Sequence, residues 1–468
     1  MANKKPMTIG QLRDSGYKVL TVKQELRKNL VERIKRGEAN HLPGIIGFEE
    51  TVVPHLENAL LSGQDIIFLG ERGQAKSRLI RSLVHLLDEE IPSIVGCEIN
   101  DNPFSPICRR CRDLVESEGD DTELAWLDRE RRYGEKLATP DITIADLIGE
   151  VDPIKVAEGR YLSDELTIHY GLVPRHNRGI FCMNELPDLA DRIQVGLLNI
   201  MEERDVQIRG YRIRLPLDVF VVASANPEDY TNRGRIITPL KDRYGAQIRT
   251  HYPKNVETEI AIMEQERSRF EDDGDLPVKV PAYMKEIVAE VTRLARRSPD
   301  INQRSGVSVR ASIADYEALL ANAFRRAIRL GEKEIVPRVS DLPYLVPAIS
   351  GKLEFETVED GREEQIIDRL IQGAVLAVFN RYFSLGELET VVARFKAGFA
   401  VEVGDQTPSA DYTKLVNQTE GLSAAVEKLG AGQSKPVIAS AAEFALEGLH
   451  LNKRLNKDKI AGRFQYRG

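Results

Sequence analysis

The feature that most constrains this 468-residue chain is the run Gly70-Glu71-Arg72-Gly73-Gln74-Ala75-Lys76-Ser77, set between two regular elements. The apolar run 65–69, Asp-Ile-Ile-Phe-Leu, precedes it directly. Leu79, Ile80, Leu83, Val84, Leu86 and Leu87 follow at helical spacing. A strand, a glycine-bearing loop ending in Lys-Ser, and a helix are the parts of a phosphate-binding loop. Successive backbone N–H groups in such a loop point at phosphate oxygens, and the helix presents its positive dipole end to the same anion. Lys76 is expected beside the β- and γ-phosphates and the Ser77 hydroxyl on Mg²⁺, so the expected ligand is ATP with Mg²⁺. Gly70, Glu71, Arg72, Gly73, Gln74, Ala75, Lys76 and Ser77, with Arg78 beyond them, form the expected binding loop. Ala75 stands where Gly usually precedes the lysine. A methyl group there is tolerated if the local φ is negative.

From about residue 44, short apolar runs alternate with amphipathic stretches. The runs 65–69, 180–183 and 219–223 predict buried strands of a parallel sheet with helices on both faces. Residues 100–140 are polar, charged and punctuated by Pro and Gly, and read as an insertion. Val206, Ile208, Tyr211 and Ile213 alternate about Arg209-Gly210, which predicts a hairpin over 205–215. Beyond about residue 254 the strand signal fades, and Ile313, Tyr316, Leu319 and Leu320 mark a helical region. Residues 403–437, rich in Gly, Ser, Thr and Gln, read as a loose connection. The expected domains are a basic helical arm (1–40), a nucleotide-binding α/β domain (41–254), a helical lid (255–351) and a mostly helical C-terminal region (352–468).

Phosphoryl transfer also needs a carboxylate near the metal and a group that orients water. Gly179-Ile180-Phe181-Cys182-Met183-Asn184-Glu185 is an apolar strand with polar residues at its C-terminal end, where ligands of open α/β sheets bind. Glu185 is expected to polarise the attacking water, and Ser77, Asn184 and Glu185 to serve the metal. Asn184 is neutral, so the metal's surroundings lose a negative charge, although its oxygen can accept a hydrogen bond from a metal-bound water. Asn226, at the tip of the strand 219–223, fits a γ-phosphate sensor. Arg243 fits a residue that reaches a neighbouring subunit's site. Arg310, opening a long helix, fits one that closes onto the γ-phosphate.

These motifs, in order, resemble the AAA+ module of the magnesium-chelatase I subunit and its bacterial (MoxR-like) relatives. The resemblance rests on Gly44-Ile45-Ile46-Gly47, Asp146-Leu147-Ile148-Gly149, His169-Tyr170-Gly171-Leu172-Val173, Leu197-Leu198-Asn199-Ile200-Met201-Glu202-Glu203 and Asn226-Pro227-Glu228. It covers about 210 residues, and Arg310 extends it to about residue 310. The hairpin 205–215 matches that clade's helix-2 insertion. The resemblance implies an ATP-dependent ring, usually a hexamer, remodelling a partner protein. It also implies work with a von Willebrand A-domain protein in trans, since the chain has no Asp-x-Ser-x-Ser motif of its own. The Gly-Ala-Phe-Thr-Gly-Ala loop of sigma-54 activators is absent.

Charge bears on partners. Residues 1–40 hold ten Lys/Arg against four Asp/Glu, a net of +6. The whole chain carries −8, so the remainder carries −8 − 6 = −14. Such an arm can touch nucleic acid, an acidic partner or a neighbouring subunit, but a charge run is more often a solvated helix. Nucleic acid is therefore not the favoured partner. No hydrophobic run approaches the ~18 residues of a membrane helix, and no apolar signal core follows the N-terminus. The expectation is a cytoplasmic protein with reduced cysteines. Cys108-Arg109-Arg110-Cys111 is half of a zinc motif, with Cys97 upstream and Cys182 on the metal-site strand. Structural zinc needs four ligands. The plainer reading is two ordinary thiols in a polar insertion.

Overall fold

The computed structural model describes residues 5–38, 42–157, 165–203, 215–226, 235–268, 276–356, 362–460 and 463–468. The hairpin expected at 205–215 falls on residues 204–214, outside those described. The chain divides into two compact units, 1–251 and 252–468.

Unit 1 is built on a five-stranded parallel sheet. Its strands are β1 (Ile66–Leu69), β4 (Tyr133–Leu137), β7 (Gly179–Asn184), β8 (Val219–Ala225) and β9 (Ala246–Arg249), in the order β4-β7-β8-β1-β9. Two antiparallel pairs lie outside it: β2 (Glu90–Ile94) with β3 (Leu124–Asp128), and β5 (Gly149–Val151) with β6 (Ile168–Tyr170). Strand side chains alternate between faces, and the cores divide accordingly. Ile66, Phe68, Ile180, Cys182, Phe220 and Val222 pack with α2 (Val22–Lys35), α3 (Val52–Leu61) and α4 (Lys76–Ser82). Ile67, Phe181, Met183, Val221 and Ala223 form the opposite core with Leu147, Val173 and Leu197.

Residues 133–137 lie inside the stretch read as an insertion, yet they supply the sheet's edge strand, with Glu135 opposite Cys182. An edge strand has one strand partner, so a polar sequence such as Tyr-Gly-Glu-Lys-Leu suffices.

The basic N-terminal segment is integrated into unit 1. Thr21 and Gln24 close a capping box on α2, and Val22, Leu26 and Leu30 enter the core. Lys23 pairs with Asp65 at 2.9 Å. Glu25 is buried against Arg132, whose Nη1 and Nη2 donate to its two oxygens at 2.7 and 2.5 Å. Arg132 Nε donates to the Arg178 carbonyl at 2.8 Å, and the Asp88 N–H donates to Glu25 at 2.6 Å.

Unit 2 has one continuous core running from Met263 to Tyr466, through both segments expected as lid and C-terminal region. Helices Ala282–Ala295, Val309–Leu330, Arg362–Tyr382 and Lys435–Leu451 carry it. Tyr283 stacks on Phe444 with ring centroids 4.5 Å apart. The expected loose connection 403–437 instead holds helices Ser409–Gln418 and Leu422–Lys428, which bury Tyr412, Leu415, Leu422 and Val426. Its glycines sit at turns, as with Gly421 at φ 85°. The region is also not wholly helical. Strands β10 (Ala400–Val403), β11 (Asn456–Ile460) and β12 (Arg463–Arg467) form an antiparallel sheet in the order β10-β12-β11. Among the described residues no helix is long and apolar enough to cross a membrane.

Candidate active site

The C-terminal ends of β1, β7 and β8 carry the phosphate loop, Asn184 with Glu185, and Asn226. β1 delivers the loop 70–75, and α4 begins at Lys76. The Gly70 N–H donates to the Ala225 carbonyl at 3.1 Å, which joins the loop to the tip of β8. Only glycine fits at position 70: a Cβ there would lie 1.9 Å from Thr250 Oγ1. Gln74 is buried, and its Oε1 accepts from the Glu71 N–H at 3.1 Å and from Thr250 Oγ1 at 2.9 Å, bracing the loop from within. Arg72 and Arg78 are exposed beside it.

Lys76 is buried. Its Nζ donates to the Gly70 carbonyl, to the Glu71 carbonyl at 3.0 Å and to Asn226 Oδ1 at 2.7 Å. Asn226 thus meets the phosphate loop directly, although it follows Lys76 by 150 residues.

Ala75 corrects one expectation. Its φ is 54°, in the left-handed region, not negative. That region costs a residue with a Cβ about 1–2 kcal/mol. Glycine would avoid this but carries more unfolded-state entropy, about 0.4–1 kcal/mol. Ala75→Gly is therefore expected to stabilise unit 1 by about 0.5–1 kcal/mol. The check is a chemical unfolding transition followed through Trp126, the chain's one tryptophan.

At the end of β7, Asn184 is buried and fully engaged. Its Oδ1 accepts from Ser224 Oγ at 3.0 Å and from Cys182 Sγ at 3.4 Å, and its Nδ2 donates to Glu135. The oxygen expected to face a metal-bound water is thus already serving Ser224. Glu185 follows at φ 52°, a left-handed conformation of the kind stored at functional sites. Its N–H donates to Ser224 Oγ at 3.2 Å, so one hydroxyl fixes both residues.

Sequence reasoning missed Ser224 and Glu135. Glu135 also accepts from Arg81 at 2.8 and 3.0 Å and from the Tyr133 hydroxyl at 2.9 Å. Burial alone would raise its carboxyl. The hydrogen bonds from Arg81 and Tyr133, the Arg81 charge and the bond from Asn184 outweigh that and hold it below the usual carboxylate range. A charged carboxylate therefore stands beside the amide that replaces one. The signal lay in the polar edge strand.

Asn184→Asp would set a second carboxylate against Glu135. One proton of such a pair is held well above its ordinary pKa, and a raised acid loses stability as pH rises through the carboxylate range. Without metal, the variant is expected to be about 1–2 kcal/mol less stable than the parent at pH 8. The gap should close toward pH 4 and narrow on adding Mg²⁺. Parallel unfolding curves at both pH values would contradict the pairing.

Arg243 ends the helix Thr238–Arg243. It pairs with Glu202 within this chain and lies 3.4 Å from Asp242. Arg310 is an exposed residue of unit 2, in the first turn of Val309–Leu330.

A phosphate-binding loop after β1, within a parallel sheet ordered β4-β7-β8-β1-β9, defines a P-loop module of the AAA+ type. Within that class, the chain resembles the magnesium-chelatase I subunit. It is 28% identical over 244 residues to the magnesium-chelatase 38 kDa subunit of Cereibacter sphaeroides, covering 50% of this chain and 62% of that protein. It is 30% identical over 222 residues to the chloroplastic magnesium-chelatase subunit ChlI of Oryza sativa subsp. indica, covering 44% and 48%. The matches thus span about half to two thirds of these relatives' length. A chain from a cryo-EM-based complex of magnesium-chelatase subunits BchI and BchD aligns over 69% of this chain and 97% of its own. Its identity is 20% and its TM-score 0.36. No family model matches the chain.

Proposed function

We propose that this chain is an ATP-hydrolysing AAA+ ring ATPase of the magnesium-chelatase type that remodels a partner protein. The observation that carries the reading is the contact between Lys76 and Asn226, which ties the phosphate loop to the neighbouring strand tip. The loop 70–77 cradles the triphosphate of ATP with its N–H groups, and the Lys76 ammonium binds the β- and γ-phosphates. Ser77 and Glu185 offer oxygen donors, which suit a hard divalent cation, beside an Asn184 held by Ser224 and Glu135. Bound there, Mg²⁺ supplies charge neutralisation at the β- and γ-oxygens. Glu185 orients and polarises the attacking water. Asn226 senses the γ-phosphate. Arg72 and Arg78 flank the nucleotide. Arg243 leaves Glu202 to reach a neighbouring subunit's site, and Arg310 serves the γ-phosphate. The assembly is a hexameric ring, working in the cytoplasm with a von Willebrand A-domain partner.

The test is steady-state phosphate release by the full chain. Glu185→Gln is expected to cut turnover about 100-fold or more, since it removes the group that orients water, while leaving ATP affinity within about threefold. Equal, near-zero rates for parent and variant would favour a second reading, a nucleotide-gated scaffold. Asn184 is the observation behind it, because a neutral amide stands where the family has a carboxylate. A third reading, a DNA-directed motor using the basic arm and Tyr211, Arg209, Arg212 and Arg214 of the hairpin, falls largely outside the described residues and is tested by salt-dependent DNA binding.

A further inference from the structure

We propose that Cys97, Cys108, Cys111 and Asp101 form a structural zinc site in unit 1. The ligands come as two local pairs, Cys97 with Asp101 and Cys108 with Cys111. The fold brings the two pairs together, and the three sulfurs and one carboxylate oxygen lie within 4.8 Å of one another. A tetrahedral zinc with Zn–S bonds of about 2.3 Å separates its sulfurs by about 3.8 Å, so a small contraction closes the shell.

Each element of the cluster is positioned from the backbone. Cys108 is the N-cap of α5 (Arg109–Glu118), and its sulfur accepts from the Cys111 N–H at 3.4 Å. The Cys97 sulfur accepts from the Asp101 N–H at 3.3 Å. Asp101 Oδ2 accepts from the Cys108 N–H at 3.0 Å. These bonds orient the ligands.

The independent observation is Asp101 itself. The residue is fully buried, at 0% exposure. Its second oxygen, Oδ1, is buried with no hydrogen-bond partner among the described residues. A carboxylate oxygen in that condition costs free energy unless a cation meets it. A set of three sulfurs and one oxygen suits zinc rather than magnesium or calcium. Zinc with three thiolates and one carboxylate carries a charge of −2. Positive groups flank it: the N-terminus of α5 and the buried Arg178. Arg178 Nη1 donates to the carbonyls of Pro92 at 2.7 Å, Asp101 at 3.3 Å and Asn100 at 3.4 Å.

Such an ion clips the loop after β2 to the start of α5, both of which join the core that includes Ile94, Ile99 and Leu124. The role is a staple for the excursion between β2 and β3. The rival reading is a Cys108–Cys111 dithiol that oxidises to a disulfide. It gives no part to Asp101.

The full-length protein, purified without chelator, is assayed for zinc by mass spectrometry and for thiols in denaturant. One zinc and four reactive thiols per chain are expected. Stripping zinc with a chelator is expected to lower the melting temperature by about 5 °C or more, with recovery on adding zinc back. Cys111→Ser is expected to lose the metal. Because that variant can fail to fold, Asp101→Asn provides the conservative arm: its zinc should be lost to a competing chelator about tenfold more readily. Cobalt-substituted protein should show the charge-transfer absorption of three thiolates. Zinc absent even after reconstitution, or two thiols missing from the metal-free protein, would overturn the site. Unchanged zinc retention in Asp101→Asn would overturn the assignment of Asp101.

Discussion

Lys76→Ala is expected to weaken nucleotide binding by about 100-fold or more. The ammonium is buried and held by the Gly70 and Glu71 carbonyls and by Asn226. A charge kept largely out of water interacts with phosphate at a lower effective dielectric than a surface lysine does. Removing one partner of a buried charge pair costs about 3–5 kcal/mol, which is roughly two to three and a half decades of affinity. Titration with a fluorescent nucleotide measures the loss, and circular dichroism checks that the variant is folded. Affinity within threefold of the parent would place the nucleotide elsewhere and end the functional reading. Lys76→Arg should recover little, because a planar fork cannot occupy the same set of three acceptors.

Arg132→Ala is expected to lower the stability of unit 1 by about 3–5 kcal/mol. Arg132 and Glu25 are both buried, and the two-pronged contact fastens α2 to the residue that precedes β4. Truncating the arginine strands the Glu25 carboxylate and removes the donor to the Arg178 carbonyl. Trp126 lies in unit 1, on β3, so its fluorescence reports this transition separately from unfolding of unit 2. Replacing both partners by apolar residues, as in Glu25→Leu with Arg132→Met, is expected to return much of the loss, because neither charge is then left buried alone. A loss under 1 kcal/mol for Arg132→Ala would mean that water or another group reaches Glu25 on demand.

The parts of the fold legible in the sequence are those buried on both faces. The runs that became β1, β7 and β8 are apolar throughout, and the lysine loop announces itself by its glycines. The edge strand β4 was hidden because it has one strand partner and carries Glu135 and Lys136. The C-terminal sheet was hidden for a related reason: β11 reads Asn-Lys-Asp-Lys-Ile, a mostly polar edge strand whose one strand partner is β12. Helices 409–418 and 422–428 looked like linker because their apolar residues are few and their glycines many. The cysteines were visible, but Asp101 was not, since an aspartate in a polar stretch is unremarkable until its burial is known. Ser224 was one hydroxyl among many. Its value comes from two partners that lie some forty residues away in the chain.

On the proposed function, the bonds from Lys76 to Gly70, Glu71 and Asn226 bear on nucleotide binding. An arriving triphosphate would take the ammonium from those oxygens, so its net gain would be smaller than the bare attraction. The same exchange would release the Asn226 amide to meet the γ-phosphate.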